Sequence, residues 1–505
     1  MSQPQTATAV PPAPPQHTVR AVLRSPQLLR TEALAGLVVG LALIPEAIAF
    51  SIIAGVDPRV GLFASFTMAV AISFLGGRPA MISAATGAIA LVIAPVVRDY
   101  GYDYLIATVL LGGLIQIALG AAGVARLMRY IPRSVMVGFV NALAILIFSS
   151  QITHLVDVPW LVYPMTAAGV AIIVLFPRVN TVIPAPLVAI AALTVLVVAG
   201  GINVPTVGDE GALPDSLPSW FFPDVPFTLE TLKIIAPYAL GMALVGLLES
   251  LLTAQLVDDI TDTRSDKTRE SLGQGAANVI TGFFGGMGGC AMIGQTMINV
   301  KISGARTRVS TFLAGVFLLI LVVGLGDVVA MIPMAALVAV MIMVSVGTFD
   351  WHSIQPSTLR RMPKSETTVM LTTVAFTVAT HNLAIGVVVG VLVAMTLFAR
   401  RVASLTQLHR ELVTLDGVET ARYRVTGELF FASSNDLYAQ FEYAADPAHV
   451  LIDLSDSHIW DASTVAALDA VTTKYERHGT TVRIIGLNQP SADRHERLTG
   501  TLVSH

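Results

Sequence analysis

The sequence predicts an α-helical polytopic membrane protein that ends in a soluble α/β domain. Of its 505 residues, 54% are hydrophobic and only 13% are charged, whereas about 25% of residues are charged in soluble domains. Long apolar segments alternate with short charged loops as far as Arg400–Arg401, and a mixed strand and helix pattern follows. We therefore expect fourteen transmembrane segments in two inverted repeats of seven, followed by the α/β domain.

Composition divides the chain into three parts. Residues 1–19 are polar and proline-rich without the pattern of a signal peptide, which predicts a disordered tail. Residues 20–401 form the expected transmembrane domain, and residues 402–505 form the soluble domain. The two repeats are expected at 32–200 and 231–400. The apolar segments lie at 34–54, 60–76, 79–97, 104–124, 135–152, 160–176, 182–200, 234–257, 272–284, 290–300, 309–325, 328–346, 367–380 and 383–399.

The basic residues predict the orientation in the membrane. Loops that follow even-numbered segments hold most of the Lys and Arg, whereas the others hold little beyond Arg59 and Arg98. By the positive-inside rule both termini are cytoplasmic, at the inner cell membrane, and the number of crossings is even. With seven segments in each half, the second half begins on the opposite side. Such inverted repeats are typical of transporters.

The most unusual stretch is Gly282–Asn299, which is uncharged and contains six glycines in eighteen residues. Irregular backbone at membrane depth occurs only inside protein or beside a wet cavity. We expect an irregular segment at Gly285–Gly289 and a short helix over Cys290–Val300, roughly 16 Å long and about half the hydrocarbon core. The helix would begin near mid-membrane, where its unpaired N–H groups favour an anion. An ordinary glycine-rich packing helix is the alternative.

The third segment is the equivalent position in the first repeat. Its sequence, PAMISAATGAIALVIAPVV, predicts an extended stretch to Ala85 and a short helix from Thr86. The N-terminus of that helix would lie opposite that of the tenth segment. A single span over 79–97 is also compatible with the sequence.

Two carboxylates interrupt apolar spans at equivalent positions, Glu46 in the first segment and Glu249 in the eighth. An acidic side chain at mid-bilayer costs about 2.5–3.5 kcal/mol on an insertion scale, so the pair suggests a function. Burial and a nearby anion both favour the protonated form of a carboxylate, which indicates proton-coupled anion uptake. A neutral, structural Glu is the alternative for each. Because Cys290 is the single cysteine, the chain can form no intrachain disulfide and no cysteine-cluster metal site. We expect Cys290 to be a small packing residue.

Several motifs together carry a family resemblance. GLVVGLALIPEAIAFSIIAGVDPRVGLFASF, IPRSVMVGFVNALAILIF, ESLLTAQLVDDITDTRSDKTRESLGQGAANVITGFFGGMGG and NVKISGARTRVS resemble the sulfate permease (SulP) anion transporters, prokaryotic type, from about Glu32 to the C-terminus. The resemblance implies core and gate domains, elevator-like transport, a homodimer and a cytoplasmic STAS domain. It places a small anion between the N-termini of the third and tenth helices. The expected substrate-binding residues are Glu46, Phe50, Thr86, Gly87, Glu249, Ile293, Gly294 and Gln295, with Glu46 and Glu249 also carrying protons.

The sequence departs from the family pattern at two positions. Relatives often have Gln where this chain has Glu46, so the carboxylate favours proton coupling. Many relatives, notably the animal exchangers and prestin, have Arg where this chain has Gln295. Without that fixed charge, chloride exchange or voltage-driven motor behaviour is not expected.

The C-terminal residues match a STAS pattern. ARYRVTGELFFA, HVLIDLSD and TTVRIIGLN predict strands, with helices at about 434–444, 463–478 and 491–499. DASTVAALDA resembles the loop and helix of anti-sigma-factor antagonists, which implies regulation by phosphorylation at Ser463. Because Asp461 and Ser463 directly precede a helical run, a helix cap is the simpler interpretation.

The leading functional hypothesis is proton-coupled symport of a dicarboxylate, bicarbonate or sulfate. Sodium-coupled bicarbonate or sulfate uptake, a nucleobase–proton symporter of the same fold, and an anion-binding signalling or motor protein are alternatives. No cofactor, metal or nucleic acid is expected, because the chain has no zinc spacing and no basic run. An enzyme is not expected either, since the sequence shows no nucleophile–base pair.

Overall fold

The computed structural model describes residues 18–126, 131–180, 184–415 and 417–500. Most of the predicted tail, residues 1–17, lies outside the described residues. Its last residue, Val19, begins a short helix that Thr18 caps, so the tail prediction extends two residues too far. Contacts divide the chain into two compact units, Met1–Gly390 and Val391–His505.

The first unit is helical. Each of the predicted apolar segments contains a helix. In chain order the helices are α1 (Val19–Arg24), α2 (Pro26–Ala54), α3 (Pro58–Leu75), α4 (Gly87–Tyr100), α5 (Tyr102–Ala121), α6 (Arg133–Ile152), α7 (Val162–Leu175), α8 (Ala185–Gly200), α9 (Leu229–Thr261), α10 (Lys267–Phe283), α11 (Ile293–Met297), α12 (Arg308–Gly324), α13 (Gly326–Ala330), α14 (Met334–Thr348), α15 (Pro356–Arg361), α16 (Lys364–Thr380) and α17 (Leu383–Ala403), the last of which contains the boundary between the units. Two short strands, β1 (Ser83–Ala84) and β2 (Cys290–Ala291), precede α4 and α11.

Within the described ranges, six helices are long and apolar enough to cross a bilayer: Pro26–Ala54, Pro58–Leu75, Tyr102–Ala121, Arg133–Leu155, Leu229–Thr261 and Leu383–Ala403. Shorter apolar helices lie at Val162–Arg178, Ala185–Gly200, Arg308–Gly324 and Met334–Thr348. A helix of 14 residues such as α4 is about 21 Å long, which is shorter than the hydrocarbon core of about 30 Å. The helix α4 is thus too short to span that thickness alone.

Helix packing separates two groups in this unit. The helices α2–α5 and α9–α12 pack mainly on one another and are called the core helices below. The helices α6–α8, α14 and α16 form the second group, the gate helices. Few contacts join the groups, and they involve α2 with α14 and α8, and α4 with α6.

Two buried carboxylates hold loops of the core helices in place. Glu270 accepts hydrogen bonds from the backbone N–H groups of Gly77 (2.7 Å) and Arg78 (2.9 Å), just before β1. Glu32 accepts from the N–H groups of Arg306 (2.8 Å) and Thr307 (3.0 Å) at the start of α12. Backbone N–H groups outside helices and sheets need an acceptor when they are buried, so these carboxylates stabilise the turns that they bind.

The second unit contains a four-stranded sheet in the order β3-β4-β5-β6. The strands are β3 (Gln407–Leu415), β4 (Val418–Leu429), β5 (His449–Ile459) and β6 (Thr481–Ile485), and the helices are α18 (Phe431–Ala439), α19 (Ala462–Arg477) and α20 (Gln489–Leu498). The pair β3–β4 is antiparallel, whereas β4–β5 and β5–β6 are parallel. The sequence analysis missed β3, and it placed α18 about three residues too late.

Candidate functional site

The two interrupted segments meet as a pair of strands inside the core helices. Ser83 pairs with Ala291 and Ala84 with Cys290, antiparallel, and the Met292 N–H donates to the Ile82 carbonyl at 2.9 Å. All four paired residues are fully buried. Because the strands run in opposite directions, α4 and α11 leave the pair in opposite directions.

The structure confirms the predicted interruption of the third segment. Backbone is extended to Thr86, whose hydroxyl accepts from the Ile89 N–H as the N-cap of α4. The alternative of one helix over 79–97 is therefore wrong.

The helix expected over Cys290–Val300 is wrong at its beginning. Residues Cys290–Ala291 pair with β1, so α11 begins at Ile293. It continues as a π-helical turn over Ile298–Ile302, and such turns are frequent at functional sites. The irregular stretch Gly285–Gly289 before it is confirmed, with Gly285 and Gly288 at positive φ.

An asparagine fixes the irregular stretch next to β2. Asn278 on α10 donates to the Gly289 carbonyl at 3.0 Å and accepts from the Gly289 N–H at 2.8 Å. Its amide also donates to Gln116 on α5 at 2.9 Å. These bonds satisfy backbone groups that the interrupted helix leaves unpaired, as buried polar groups require.

A cavity of about 490 Å³ lies where the two helix N-termini meet. Its volume suits a small ligand. All of the predicted substrate-binding residues line it. These are Glu46, Phe50, Thr86, Gly87, Glu249, Ile293, Gly294 and Gln295.

Most polar groups of the cavity come from the core helices, whereas the gate helices supply a mainly apolar wall, to which α14 adds the hydroxyl of Thr348. Phe139, Val140, Leu143 and Ile147 from α6, with Val344 from α14, form most of that wall. No Lys or Arg stands among the described residues that line the cavity. Positive potential therefore has to come from helix N-termini and N–H groups.

The two carboxylates occupy different surroundings. Glu249 is buried, with 8% of its surface exposed, and accepts a hydrogen bond from the Cys290 thiol at 2.9 Å. Glu46 is partly exposed to the cavity and lies beside the side chain of Gln295. Gln295 itself is 2% exposed, and its Oε1 has no hydrogen-bond partner among the described residues. A ligand or water in the cavity could satisfy that atom.

Comparison with family models decides the family. The model described as "Sulfate permease family" matches residues 29–165 and 160–373, and the model described as "STAS domain" matches residues 409–500. The chain belongs to the sulfate permease family. Members of this family are transporters and not enzymes, and this chain is an anion transporter of that family.

Relatives of this sulfate permease family member span most of its length. YbaR of Bacillus subtilis (strain 168), which is named as a candidate sulfate transporter, is 52% identical over 92% of this chain and 95% of its own length. The bicarbonate transporter BicA of Picosynechococcus is 26% identical over 75% of this chain and 71% of its own.

Solved structures confirm the fold of this family member. The murine Solute Carrier 26 family member A9 anion transporter, solved in the inward-facing state, aligns with a TM-score of 0.78 at 17% identity. The alignment covers 93% of this chain and 87% of that one. The transmembrane domain of a cyanobacterial BicA aligns with a TM-score of 0.62 at 23% identity, over 73% of this chain and 98% of that one.

In the STAS unit of this transporter, Ser463 is exposed in the first turn of α19. The cap of that helix is Asp461, whose Oδ1 accepts from the Thr464 N–H at 3.1 Å. The interpretation as a cap therefore holds for Asp461 and not for Ser463. Phosphorylation of Ser463 stays a prediction.

Sequence reasoning missed the apolar wall of the site. The wall residues on α6 and α14 belong to the fifth and twelfth segments, which are equivalent members of the two repeats. The same pseudo-symmetry argument that paired Glu46 with Glu249 would have paired these two helices. Their residues are ordinary core residues by type, so no chemical signal marked them.

Proposed function

We infer that this transporter carries a small anion together with protons, as a symporter for a dicarboxylate, bicarbonate or sulfate. The observation that carries the proposal is the pair of carboxylates, Glu46 and Glu249, which face the same cavity as the N-termini of α4 and α11. The roles of the other cavity residues, Phe50, Gly87, Ile293 and Gly294 among them, are part of this proposal.

Electrostatics link the two kinds of ion. A helix N-terminus is equivalent to roughly half a positive charge and attracts an anion. Two ionised carboxylates in the same cavity would repel that anion and would themselves be poorly solvated. Protonation of Glu46 and Glu249 removes both penalties, so anion and protons bind best together.

The names of the relatives support an inorganic oxyanion as substrate. YbaR is named for sulfate and BicA for bicarbonate. Both anions are small enough for the cavity and are recognised by N–H and hydroxyl donors of the kind found at Thr86 and at the start of α11.

The test replaces each carboxylate by its neutral isostere and measures uptake in liposomes under an imposed pH gradient. Glu46→Gln and Glu249→Gln should each reduce the stimulation by the gradient, because each variant binds one proton fewer per cycle. Glu230→Gln is the matched control, since Glu230 is an exposed carboxylate at the start of the same helix as Glu249. Full gradient dependence in both cavity variants would exclude these residues as proton sites.

Sodium coupling is the second candidate mechanism. In it, the carboxylates of Glu46 and Glu249 would bind a sodium ion in place of protons. Replacement of sodium by choline at fixed pH separates the two mechanisms. Uptake by the proton-coupled transporter should be unchanged, whereas a sodium symporter would stop. A labelled nucleobase in the same assay should not be transported.

Elevator-like movement of the core helices against the gate helices fits the division of the cavity walls. The polar residues would travel together while the apolar wall on α6 and α14 stays in place. Gly294 offers a probe, because a Cβ built there meets no atom within 4 Å. The side chain introduced by Gly294→Cys should react with an impermeant maleimide from either side of the membrane during turnover, and substrate should protect it. Reaction from one side alone would contradict alternating access.

The proposed setting is the inner cell membrane, with the N-terminus and the STAS domain in the cytoplasm and the protein as a homodimer. Protease added to right-side-out vesicles should leave the STAS domain intact. Light scattering of the purified protein should give twice the 53.3 kDa mass of one chain. Cleavage in the first experiment, or a monomer mass in the second, would contradict these assignments.

A further inference from the structure

The single cysteine lies between two of the cavity residues. Its Sγ is 2.9 Å from Glu249 Oε2 and 3.1 Å from Thr86 Oγ1. Cys290 is fully buried and does not line the cavity, whereas Glu249 and Thr86 both do. Thr86 Oγ1 also accepts from the Ile89 N–H at 3.4 Å. An unbroken line of hydrogen bonds therefore joins a cavity carboxylate to the first turn of α4.

The direction of these hydrogen bonds depends on one proton. An ionised carboxylate can only accept, so the Cys290 thiol donates to Glu249, and the Thr86 hydroxyl donates to the sulfur. In this state the only hydrogen of the Thr86 hydroxyl is used inside the protein. An anion in the cavity then receives nothing from that hydroxyl.

Protonation of Glu249 allows the hydrogen bonds between Glu249, Cys290 and Thr86 to reverse their direction. The new O–H donates to the sulfur, the thiol turns its hydrogen toward Thr86 Oγ1, and the Thr86 hydroxyl hydrogen is free to point into the cavity. One proton is added at Glu249, and the two other hydrogens change direction by rotation. No bond between heavy atoms is formed or broken.

We propose that Cys290 is a positioning residue that links protonation of Glu249 to anion binding by Thr86. The proposal rests on the proton coupling proposed above. A hydrogen bond from a hydroxyl to an anion is stronger than one to a neutral acceptor, so the freed hydroxyl raises anion affinity. By linkage, bound anion favours the proton on Glu249 to the same degree.

A second observation places a ligand in this cavity independently of the cysteine. Gln295 is nine-tenths buried or more, lines the cavity, and has an unpartnered Oε1 among the described residues. Because Oε1 can only accept, the group that satisfies it must donate, as the O–H of a protonated anion or of water does.

The groups that face Glu249 are few. Among the described residues that line the cavity, Glu46 on α2 is the other titratable group. Cys290 on β2 is the titratable group in direct contact. From α10, Glu270 is held by its own bonds to Gly77, Arg78 and Gln274, and from α5 the neutral Gln116 is bound to Asn278. The pH dependence of binding should therefore come from Glu46 and Glu249.

The first test is sulfate binding by the purified full chain as a function of pH, since sulfate keeps its charge over the neutral range. Sulfate affinity of the wild type should fall as pH rises. In Cys290→Ala, the ratio of the sulfate affinity at low pH to that at high pH should be about tenfold smaller than in the wild type. This change lies within the range typical of coupling between sites. Cys290→Ser should restore the wild-type ratio, because a hydroxyl also donates and accepts. Equal pH profiles for all three proteins would overturn the proposal.

The second test needs neither ligand nor substitution of the cysteine. Because the chain has one cysteine, its S–H stretching band in the infrared is assigned without ambiguity. The band should shift as Glu249 takes up its proton, and Glu249→Gln should hold it at the position of the protonated form at every pH, since the amide also donates. A band that responds to neither pH nor Glu249→Gln would overturn the proposal.

Failure of this inference and failure of proton coupling look different. If uptake responds to a pH gradient but Cys290→Ala leaves the pH profile of binding unchanged, coupling stands and the cysteine is a packing residue. If the rate of uptake does not depend on the pH gradient, both proton coupling and the proposed role of Cys290 are wrong.

Discussion

The carboxylates of Glu32, Glu270, Glu249 and Glu46 in the first unit divide into two kinds by what they bind. Glu32 and Glu270 each accept at least two backbone N–H bonds, which hold the carboxylate group in place. Glu249 has one side-chain donor, the weakly acidic thiol of Cys290, and Glu46 has only the neighbouring amide of Gln295. The first pair is suited to holding structure, whereas the second pair can exchange a proton. Residue type alone does not separate the two kinds, which is why the sequence analysis gave Glu32 and Glu270 no role.

Asp453 in the STAS unit provides a prediction about acid stability. Burial acts to raise the pKa of Asp453, but hydrogen bonds from Ser455 and from the guanidinium of Arg422 (2.6 Å) outweigh it and lower the pKa to about 2. The value in an unfolded chain is about 3.9. Since the folded pKa is lower, the stabilisation is complete above about pH 4 and is lost as pH falls toward 2.

Asp453→Asn should therefore weaken hydrogen-exchange protection of β4 and β5 at neutral pH, measured on the full-length protein. The difference from wild type should shrink as pH falls from about 4 to 2, where the wild-type carboxylate is itself protonated. Asp456→Asn is the control, because Asp456 is exposed three residues further along the same strand. A difference that is independent of pH would show that charge at Asp453 does not stabilise the sheet.

Among the elements, the strand pair β1–β2 depends on a glycine that precedes it. A Cβ at Gly289 would lie 2.6 Å from the carbonyl carbon of Ala84 and closer still to its oxygen. Gly289→Ala should therefore separate the strands and destabilise the protein by at least the roughly 1–3 kcal/mol typical of overpacking. Thermal unfolding of the detergent-solubilised protein measures the effect.

Gly294 in α11 is the matched control for Gly289, because no atom lies within 4 Å of its built Cβ. Alanine is favoured over glycine in a helix by about 1 kcal/mol, so Gly294→Ala should leave Tm unchanged or raise it. Equal losses of Tm in the two variants would contradict the role assigned to the strand pair.

The sequence predicted these elements only in part, for physical reasons. The glycines at 285–289 and the cap at Thr86 indicated two interrupted helices. No local pattern indicated that Ser83–Ala84 and Cys290–Ala291 pair with each other. Strand pairing between residues about two hundred positions apart is a tertiary effect. The missed strand β3 had a local signal, since Asp416–Gly417 is a dipeptide typical of hairpin turns. Its mostly exposed side chains gave no clear alternation.

At the scale of the whole molecule, pseudo-symmetry did more than any motif to predict the site. It paired the third with the tenth segment and Glu46 with Glu249, and the structure places all of these at one cavity. It would also have paired α6 with α14, but the apolar residue types of these helices gave no signal that they form the opposite wall. Each half contributes one short helix and one carboxylate, so neither half makes the site alone.

This division predicts the charge that crosses the membrane in one cycle. If Glu46 and Glu249 each carry a proton, a divalent anion such as sulfate crosses with no net charge. Valinomycin with potassium higher outside the liposomes than inside sets an inside-positive potential, which should leave sulfate uptake by the wild type unchanged. Glu46→Gln and Glu249→Gln each remove one proton, so one negative charge would enter per cycle. An inside-positive potential should accelerate these variants, since about 2.3 kcal/mol is available per charge at 100 mV. A wild type that responds to the potential as strongly as the variants would show that the two carboxylates do not both carry protons.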